Sequence, residues 1–177
     1  AGDWTSYFGA IGNSYLVLNK TSAGATNADF MNNTAPTSSV FTVGDPEWWG
    51  ADPFIAYCFS EKKGYSKFGT YLANGNADGP FVYTGFKPAW VLCKKSSATG
   101  DWELYDNKRN GFNGGNVKVI PNANDAETGV GRLSLLSNGF KITTSSGNLN
   151  TNAATYIYMA FAESPFVTST GIPTPAR

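Results

Sequence analysis

The stretch TYIYMAFAE at residues 155–163 consists of β-branched, aromatic and other apolar side chains with almost no polar interruption. Such residues favour β-strands, and a near-continuous apolar run is typical of a strand that is covered on both faces of its sheet. A similar stretch, FIAYCFSE, occurs at residues 54–61. We therefore predict that the strands around residues 56–59 and 158–161 form the buried centre of a β-rich protein.

The chain repeats itself at a spacing of about 100 residues, which indicates an internal duplication. The anchors are GDW at 2–4 and 100–102, SVFTV at 39–43 and NGFKI at 138–142, and the two strand-like stretches 54–61 and 156–163. Trp4 and Trp102 occupy equivalent positions in the two copies, so we expect both to pack in the core or against a sheet face.

The first copy is incomplete, because nothing precedes it that corresponds to the run FKPAWVLCKK at residues 86–95. We interpret the chain as a C-terminal piece of a longer protein; the alternative is a mature protein whose first unit is closed by another segment. Residues 1–63 form the incomplete first copy, residues 64–167 the complete second copy packed with the first as one compact unit, and residues 168–177 an extended C-terminal tail.

The composition favours an all-β fold, since no stretch has helical apolar periodicity while 15% of the residues are aromatic and 20 are Gly. Short runs of strand-forming residues alternate with turns rich in Asn, Gly and Ser. The predicted strands are 4–8, 15–19, 40–43, 54–60, 65–72, 80–86, 89–94, 102–106, 116–120, 133–136, 140–144 and 155–162, with single helical turns at 28–33 and 123–127. This pattern predicts an antiparallel β-sandwich or jelly roll of the lectin-like kind.

Charge and cysteine content exclude several function classes. The formal net charge is zero, with no basic stripe to bind nucleic acid, and no apolar run approaches the ~18 residues of a membrane span. Without His there is no Ser-His-Asp or Cys-His arrangement, and two Cys cannot make an ordinary zinc site. We expect Cys58 and Cys93 to be buried free thiols, with a disulfide between them as the alternative.

Carboxylates offer two weaker hypotheses. Glu61 and Glu163 follow equivalent strands, and a pair of carboxylates is what a glycosidase needs, but a repeated Glu at a strand end is more simply a partner for Lys or Arg. We therefore expect no catalytic residues. Asp78, Asp101 and Asp106 lie among Asn and Gly, as calcium ligands often do, yet their spacing matches no calcium loop. No cofactor is predicted, and calcium is left open.

The segment GDPEWWGADP at residues 44–53 has no aromatic counterpart in the second copy. Core positions should stay apolar in both copies, which argues that the two Trp are not both core. The candidate ligand-binding residues are therefore Trp48, Trp49, Asp45, Glu47 and Asp52. Two Trp flanked by carboxylates suit a sugar ring or a protein interface. Contact with a sugar or receptor, contact with another subunit, and plain packing all stay open.

Several strings together resemble a repeat domain of tail-fibre-like structural proteins of marine tailed bacteriophages. They are GYSKFGTY at 64–71, GNADGPFVYTGFKP at 75–88, LSNGFK at 136–141 and TYIYMAFAE at 155–163, with the ending from residue 169 to residue 177. The resemblance implies a virion location and host recognition. It supplies no catalytic or ligand-binding residues.

The first function hypothesis is a non-catalytic tail-fibre or adhesion module, virion-borne or extracellular, that binds a bacterial surface glycan or protein. The second is a structural virion or filament subunit whose exposed aromatics and open edge serve assembly. The third is a free secreted carbohydrate-binding module. Because the first copy is one strand short, we expect its open edge or its Trp48-Trp49 loop to meet the preceding part of the same polypeptide or a neighbouring copy, with the tail at 168–177 as another candidate contact. The alternative is that the first copy closes with a loop. The expected partners are further copies in a homotrimer or other virion proteins, with no nucleic acid and no membrane insertion.

Overall fold

The computed structural model describes residues 2–50, 53–109, 117–129 and 131–163. Within them the regular structure is almost entirely β. The strands are β1 Thr5–Tyr7, β2 Ser14–Val17, β3 Ala25–Thr26, β4 Ser66–Leu72, β5 Phe81–Tyr83, β6 Pro88–Lys95, β7 Trp102–Asp106, β8 Val117–Val119, β9 Thr128–Gly129, β10 Leu133–Leu136, β11 Gly139–Ile142 and β12 Thr155–Ala162. A 3-10 turn spans Gly9–Ile11, and three single-turn helices are α1 Ala28–Met31, α2 Pro46–Trp49 and α3 Gly147–Asn150.

The described strands form three antiparallel sheets. The largest has the order β4-β12-β6-β7-β8-β9, the second has the order β10-β11-β5, and the third has the order β1-β2-β3. Every pairing between these strands is antiparallel. The predicted all-β sandwich of packed antiparallel sheets is thereby confirmed, whereas the jelly-roll topology is not.

Strand β12 is the centre of the largest sheet and is hydrogen-bonded on both edges, to β4 and to β6. Its side chains are buried alternately against the two neighbouring layers, with Tyr156 and Tyr158 on one side and Ile157 on the other. The prediction that the strand around residues 158–161 is buried is confirmed, although Phe161 at its end is only half-buried.

One face of the largest sheet packs against the sheet of β5, β10 and β11. Tyr156 and Tyr158 of β12 lie in the same core cluster as Phe140 and Ile142 of β11. The Tyr71 ring stacks on the Tyr156 ring at 5.0 Å between centroids, and its hydroxyl donates to the Leu149 carbonyl, so the polar tip of this buried ring is satisfied.

The opposite face of the largest sheet packs against the β1-β2-β3 sheet. Leu16 lies in one cluster with Trp102 and Ile157, and the Trp102 indole N–H donates to the Val17 carbonyl at 3.0 Å. The buried Lys94 Nζ donates to the carbonyls of Thr21 and Ser22. The six-stranded sheet is therefore covered on both faces, as its near-continuous apolar strands predict.

Trp102 packs against a sheet face as expected, but the expectation for Trp4 is wrong. Trp4 is 58% exposed and contacts the ring of Tyr57 at 6.5 Å between centroids. It lies immediately before β1, in the three-stranded sheet that packs through Leu16 on Trp102 and Ile157 of the largest sheet. No further layer of the described residues covers Trp4.

Two predicted strands, 40–43 and 54–60, are wrong because neither segment has a ladder partner among the described residues. A strand exists only when its N–H and C=O groups meet those of a neighbour. Phe41 and Phe59 consequently lie in exposed irregular segments, whereas their counterparts Phe140 and Phe161 lie in β11 and β12. The duplication is not confirmed at these two anchors and stays a prediction.

The two predicted helical turns have different outcomes. The first is present as α1, where the Asn27 side chain accepts the Asp29 N–H and Asn32 ends the helix with a φ of +49°. The second, at 123–127, is wrong, because only the Ala123 N–H makes a turn hydrogen bond there, to Ile120. The predicted tail at 168–177 lies outside the described residues, as does residue 116, the first residue of the predicted strand 116–120. Across the described ranges, no helix is long and apolar enough to cross a bilayer.

The contrast between equivalent residues of the two strand-like stretches gives a direct test of this architecture. Ile157 is 1% exposed and Ile55 is 78% exposed. We expect Ile157→Ala to lower the free energy of unfolding of the monomer by about 2–5 kcal/mol, since it leaves a cavity in the core. Ile55→Ala should change it by less than about 0.5 kcal/mol. Urea unfolding monitored by Trp fluorescence measures both, and equal losses would contradict the assignment of β12 as the central strand.

Candidate functional site

The predicted site residues Trp48 and Trp49 lie on the single-turn helix α2. The helix begins where the Asp45 carbonyl accepts the N–H groups of both Trp residues, and Pro46 occupies its first turn, where a missing N–H does no harm. Asp52 and the side chain of Glu47 lie outside the described residues. The structure thus brings together three of the five predicted residues.

The rings of this helix belong to an aromatic cluster formed by Tyr15, Phe30, Trp48, Trp49 and Phe54. Trp49 stacks on Phe30 at 5.5 Å and on Phe54 at 5.1 Å, and its indole N–H donates to the Phe30 carbonyl at 2.9 Å. Trp48 meets Tyr15 edge to face at 5.1 Å. Both Trp side chains are half-buried, so internal packing uses much of their ring surface; a ligand-binding role for them stays a prediction.

A small polar cleft of about 250 Å³ lies beside the aromatic cluster. It is lined by Ala28, Asp29, Asn32, Val43, Gly44 and Asp45. The Asp45 N–H donates to the Asp29 carbonyl at 2.9 Å, and a Cβ at Gly44 would fall 1.7 Å from that same oxygen. Glycine is therefore required where these two chain segments touch. The cleft presents two exposed carboxylates and no cation among its lining residues.

A larger surface groove, of about 570 Å³, was not found by sequence reasoning. Its apolar floor is made by Ala89, Trp90 and Leu104, and its polar rim by the turn that follows β7. The rim residues are Asp106, Asn107, Lys108 and Arg109. We name this feature the Trp90 groove. The sequence around Trp90 is typical of a core strand. The one sequence signal for exposure of the Trp90 side chain is its position near the start of that strand.

The rim of the Trp90 groove is held in one shape by Asp106. Its Oδ1 accepts the backbone N–H groups of Lys108 and Arg109, both at 2.9 Å, and its Oδ2 accepts from the Arg109 Nε at 2.7 Å. Although partial burial opposes it, these hydrogen bonds lower the pKa of Asp106. The carboxylate therefore stays charged at neutral pH and fixes the turn.

Glu163 stabilises the same rim through a second set of contacts. Its carboxylate pairs with the Lys87 Nζ at 2.6 Å and accepts from the Asn107 Nδ2 at 2.7 Å. The hydrogen bond from Lys87 lowers the pKa of Glu163. The Oδ1 of Asn107 is buried and has no hydrogen-bond partner among the described residues. Because this oxygen is buried, it is not open to a ligand of the groove.

Glu61 and Glu163 both serve structural contacts. Glu61 pairs with Lys67 at 3.1 Å and accepts the Phe68 N–H at 3.0 Å, while Glu163 is committed to Lys87 and Asn107. The two carboxylates thus act as partners for cations and N–H groups, which is the simpler of the two interpretations that their positions allow.

The three Asp residues considered as calcium ligands have separate partners. Asp78 pairs with Lys141, Asp101 accepts amide N–H groups from Asn122 and Asn148, and Asp106 holds its own turn. Within the described ranges there is no group of three or more Cys, Asp or Glu residues that could hold a metal ion.

The cysteines are not disulfide-bonded to each other, and their environments differ. Cys93 is buried as expected, and burial raises the pKa of its thiol far above the ordinary value, so it stays protonated and unreactive at neutral pH. The expectation for Cys58 is wrong: this thiol is exposed, because its segment has no covering strand.

A buried ionic cluster stabilises the interior rather than a surface site. Both oxygens of the fully buried Glu103 are used: Oε1 meets the Lys118 Nζ at 3.2 Å and an Arg132 NH group at 2.8 Å, and Oε2 accepts the Tyr105 hydroxyl at 2.6 Å. Burial, followed by the nearby Glu103 charge, raises the pKa of Tyr105. A satisfied carboxylate that no solvent reaches connects β7, β8 and the residue that precedes β10, and it is inaccessible to a substrate.

Residues 53–60 form a third distinctive surface, which we name the uncovered segment. All eight residues are exposed, including Phe54, Ile55, Tyr57 and Phe59. Among the described residues, the backbone of the uncovered segment makes no hydrogen bond to another backbone group. Its one backbone partner there is the Ser66 hydroxyl, which donates to the Ser60 carbonyl at 2.8 Å.

Taken together, these features define a β-sandwich module with an aromatic-floored surface groove and an unpaired apolar segment. The chain belongs to the family described as a domain of unknown function, DUF7483, whose model matches residues 1–165. No curated protein and no solved structure matches the chain. The family description names no activity, ligand or partner, so the resemblance to tail-fibre-like proteins stays a prediction.

The contact between Glu163 and Lys87 predicts a pH dependence of stability. Because the pKa of Glu163 is lower in the folded protein than its ordinary value of 4.5, the unfolded chain binds the proton first as the pH falls. We expect Glu163→Gln to lower the free energy of unfolding by roughly 1 kcal/mol at pH 7, with the difference from wild type vanishing as the pH falls from 4.5 towards 3.

Glu61→Gln is the matched control, since Glu61 is the counterpart of Glu163 but pairs with the more exposed Lys67. Urea unfolding of the two variants and wild type between pH 3 and 7 makes the comparison. A pH-independent difference for Glu163→Gln would contradict the role of its charge.

Proposed function

We propose that this chain is a non-catalytic recognition module of a tail-fibre-like virion or extracellular protein, and that it binds a glycan of a bacterial surface. The resemblance to phage tail-fibre-like proteins supports the biological setting. The observation that carries the glycan is the Trp90 groove, in which an indole lies beside a charged, hydrogen-bonding rim.

The composition of the groove suits a sugar better than an apolar ligand. A pyranose ring offers an apolar face to an aromatic ring and hydroxyl groups to polar side chains at its edge. Trp90 and Leu104 supply the apolar surface, while the exposed Lys108 supplies N–H donors at the rim. Arg109 is engaged by the carboxylates of Asp106 and Glu127, so the exposed Lys108 is the cation most available to a carboxylate or phosphate on an acidic sugar.

The rim is ordered before any ligand arrives, which favours binding. Asp106 fixes the backbone of Lys108 and Arg109, and Glu163 fixes the amide of Asn107. A preformed rim loses little conformational entropy on binding. This arrangement supports recognition without chemistry, since the carboxylates near the groove are engaged by cations and N–H groups.

An array of acidic bacterial surface polysaccharides, probed with the purified chain, tests the proposal. We expect binding that Trp90→Leu and Lys108→Ala each weaken by about tenfold or more, because each removes a contact worth on the order of 1.4 kcal/mol. Trp48→Leu is the matched control, because it changes a half-buried indole that does not line the Trp90 groove. This variant should bind as wild type does.

Thermal unfolding of each variant shows whether the fold is retained, since Trp90 also contacts the Phe161 ring at 5.5 Å. If Trp48→Leu lost glycan binding while Trp90→Leu bound as wild type does, the glycan site would be the aromatic cluster and not the Trp90 groove. Absence of binding to every acidic and neutral glycan would overturn the proposal.

A second candidate function, a structural virion or filament subunit, is favoured by a different observation. The uncovered segment exposes four large apolar side chains in a row of eight residues. Contiguous exposed apolar surface of this kind marks an interaction site in a soluble protein. Recognition at the groove and assembly through the segment use different surfaces and are compatible.

A further inference from the structure

The chain contains its own example of how a sequence like the uncovered segment is covered. Phe54, Ile55 and Phe59 correspond to Tyr156, Ile157 and Phe161 of β12. In β12 those residues lie between two hydrogen-bonded neighbours, β4 and β6, and apolar layers cover both faces. The uncovered segment has the same residue types but neither neighbouring strand. Its composition is therefore that of a strand that pairs with other strands when the protein is assembled.

The same chain offers a free strand edge. Strand β4 ends the largest sheet; among the described residues its one strand partner is β12, and only Ser66 forms a further bridge, with Lys62. The N–H of Ser66 bonds to Lys62 and the N–H of Phe68 to the Glu61 carboxylate, so the even-numbered residues of β4 direct their backbone groups outward. Next on that edge are Thr70 and Leu72, both exposed and with no outward backbone partner among the described residues.

The uncovered segment does not occupy the β4 edge of its own molecule. Pairing begins with the bridge between Lys62 and Ser66 but goes no further, because the Glu61 carboxylate takes the next outward N–H, that of Phe68. The segment then lies beside the β1-β2-β3 sheet and α2, where Phe54 stacks on Trp49 and Tyr57 lies against Trp4. Among the described residues, one molecule therefore presents an unpaired segment and the unpaired outer edge of β4 at the same time.

We propose that the uncovered segment adds as a strand to the β4 edge of a second copy of this chain. Strand addition satisfies backbone groups on both partners and buries alternate side chains, which is a common way to join β-proteins. A free edge invites this pairing, and here the donor and the acceptor belong to the same sequence. Because the two surfaces differ, the contact is head to tail and generates a closed ring or a filament.

The bridge between Lys62 and Ser66 gives the register to test. Continued outward as an antiparallel pairing, it places Cys58 opposite Thr70, and in the assembly Cys58 of one copy meets Thr70 of another. Cys58 is an exposed free thiol and Cys93 is buried, so the natural chain carries one accessible thiol among its described residues, at the required position.

The experiment uses the full chain with Thr70→Cys under mild oxidation at micromolar concentration. We expect interchain disulfides between Cys58 and the new cysteine, formed on the order of tenfold more than in the control Thr128→Cys, because strand pairing raises the effective concentration of the two thiols. Thr128 is the matched control, since it is an exposed Thr on β9, the opposite edge of the same sheet. Adding Cys58→Ser to Thr70→Cys should abolish the cross-link.

Light scattering without oxidant gives a second, independent measurement. The wild-type assembly should have a mass above the 18.9 kDa of one chain. Ile55→Arg should shift the mass towards that of one chain with an unchanged circular-dichroism spectrum, since the side chain is exposed in the monomer. A clean wild-type monomer, a disulfide within one chain, or cross-linking equal to that of Thr128→Cys would each overturn the proposal. Because the readout is assembly and not glycan binding, its failure is distinguishable from failure of the recognition function.

Discussion

The structure depends on one constraint, which is that β12 must be paired on both edges and covered on both faces. Its backbone joins β4 to β6, and its alternating side chains enter two different cores. A strand in this position links three sheets through one set of contacts. The rest of the fold can be understood as the layers needed to keep it from water.

The two covering layers achieve this by different means. The β5-β10-β11 sheet contributes a conventional apolar core in which Phe140 lies against Tyr71 and Tyr158. The β1-β2-β3 layer is smaller and is fastened by polar contacts at its margin, such as the Trp102 indole bonding to Val17 and the Lys94 ammonium bonding to the Thr21 and Ser22 carbonyls. Buried polar groups with all their partners fix one arrangement of layers against alternatives.

The groove and the uncovered segment are both consequences of where this covering ends. Trp90 lies at the start of β6, at the margin of the covered area, so its indole is only half-buried and meets the charged turn after β7. The uncovered segment leaves the layered region, and its ring contacts among the described residues are with Trp4, Trp49 and Phe161. Function in this molecule is expected at the places where the sandwich is open.

The sequence by itself determined the β class, most strand positions and the burial of the strand around residues 158–161, because alternation, turn residues and β-branched or aromatic runs are local signals. It could not determine which runs find a partner. Residues 54–60 and 155–162 look alike, yet one is irregular and the other central, since pairing depends on strands distant in sequence. Likewise, Trp48 and Trp49 were recognisable as unusual, but the Trp90 groove required β6, β7 and their turn to meet. Only the tertiary structure decides such contacts, because a hydrogen-bond ladder and a groove are properties of pairs of segments.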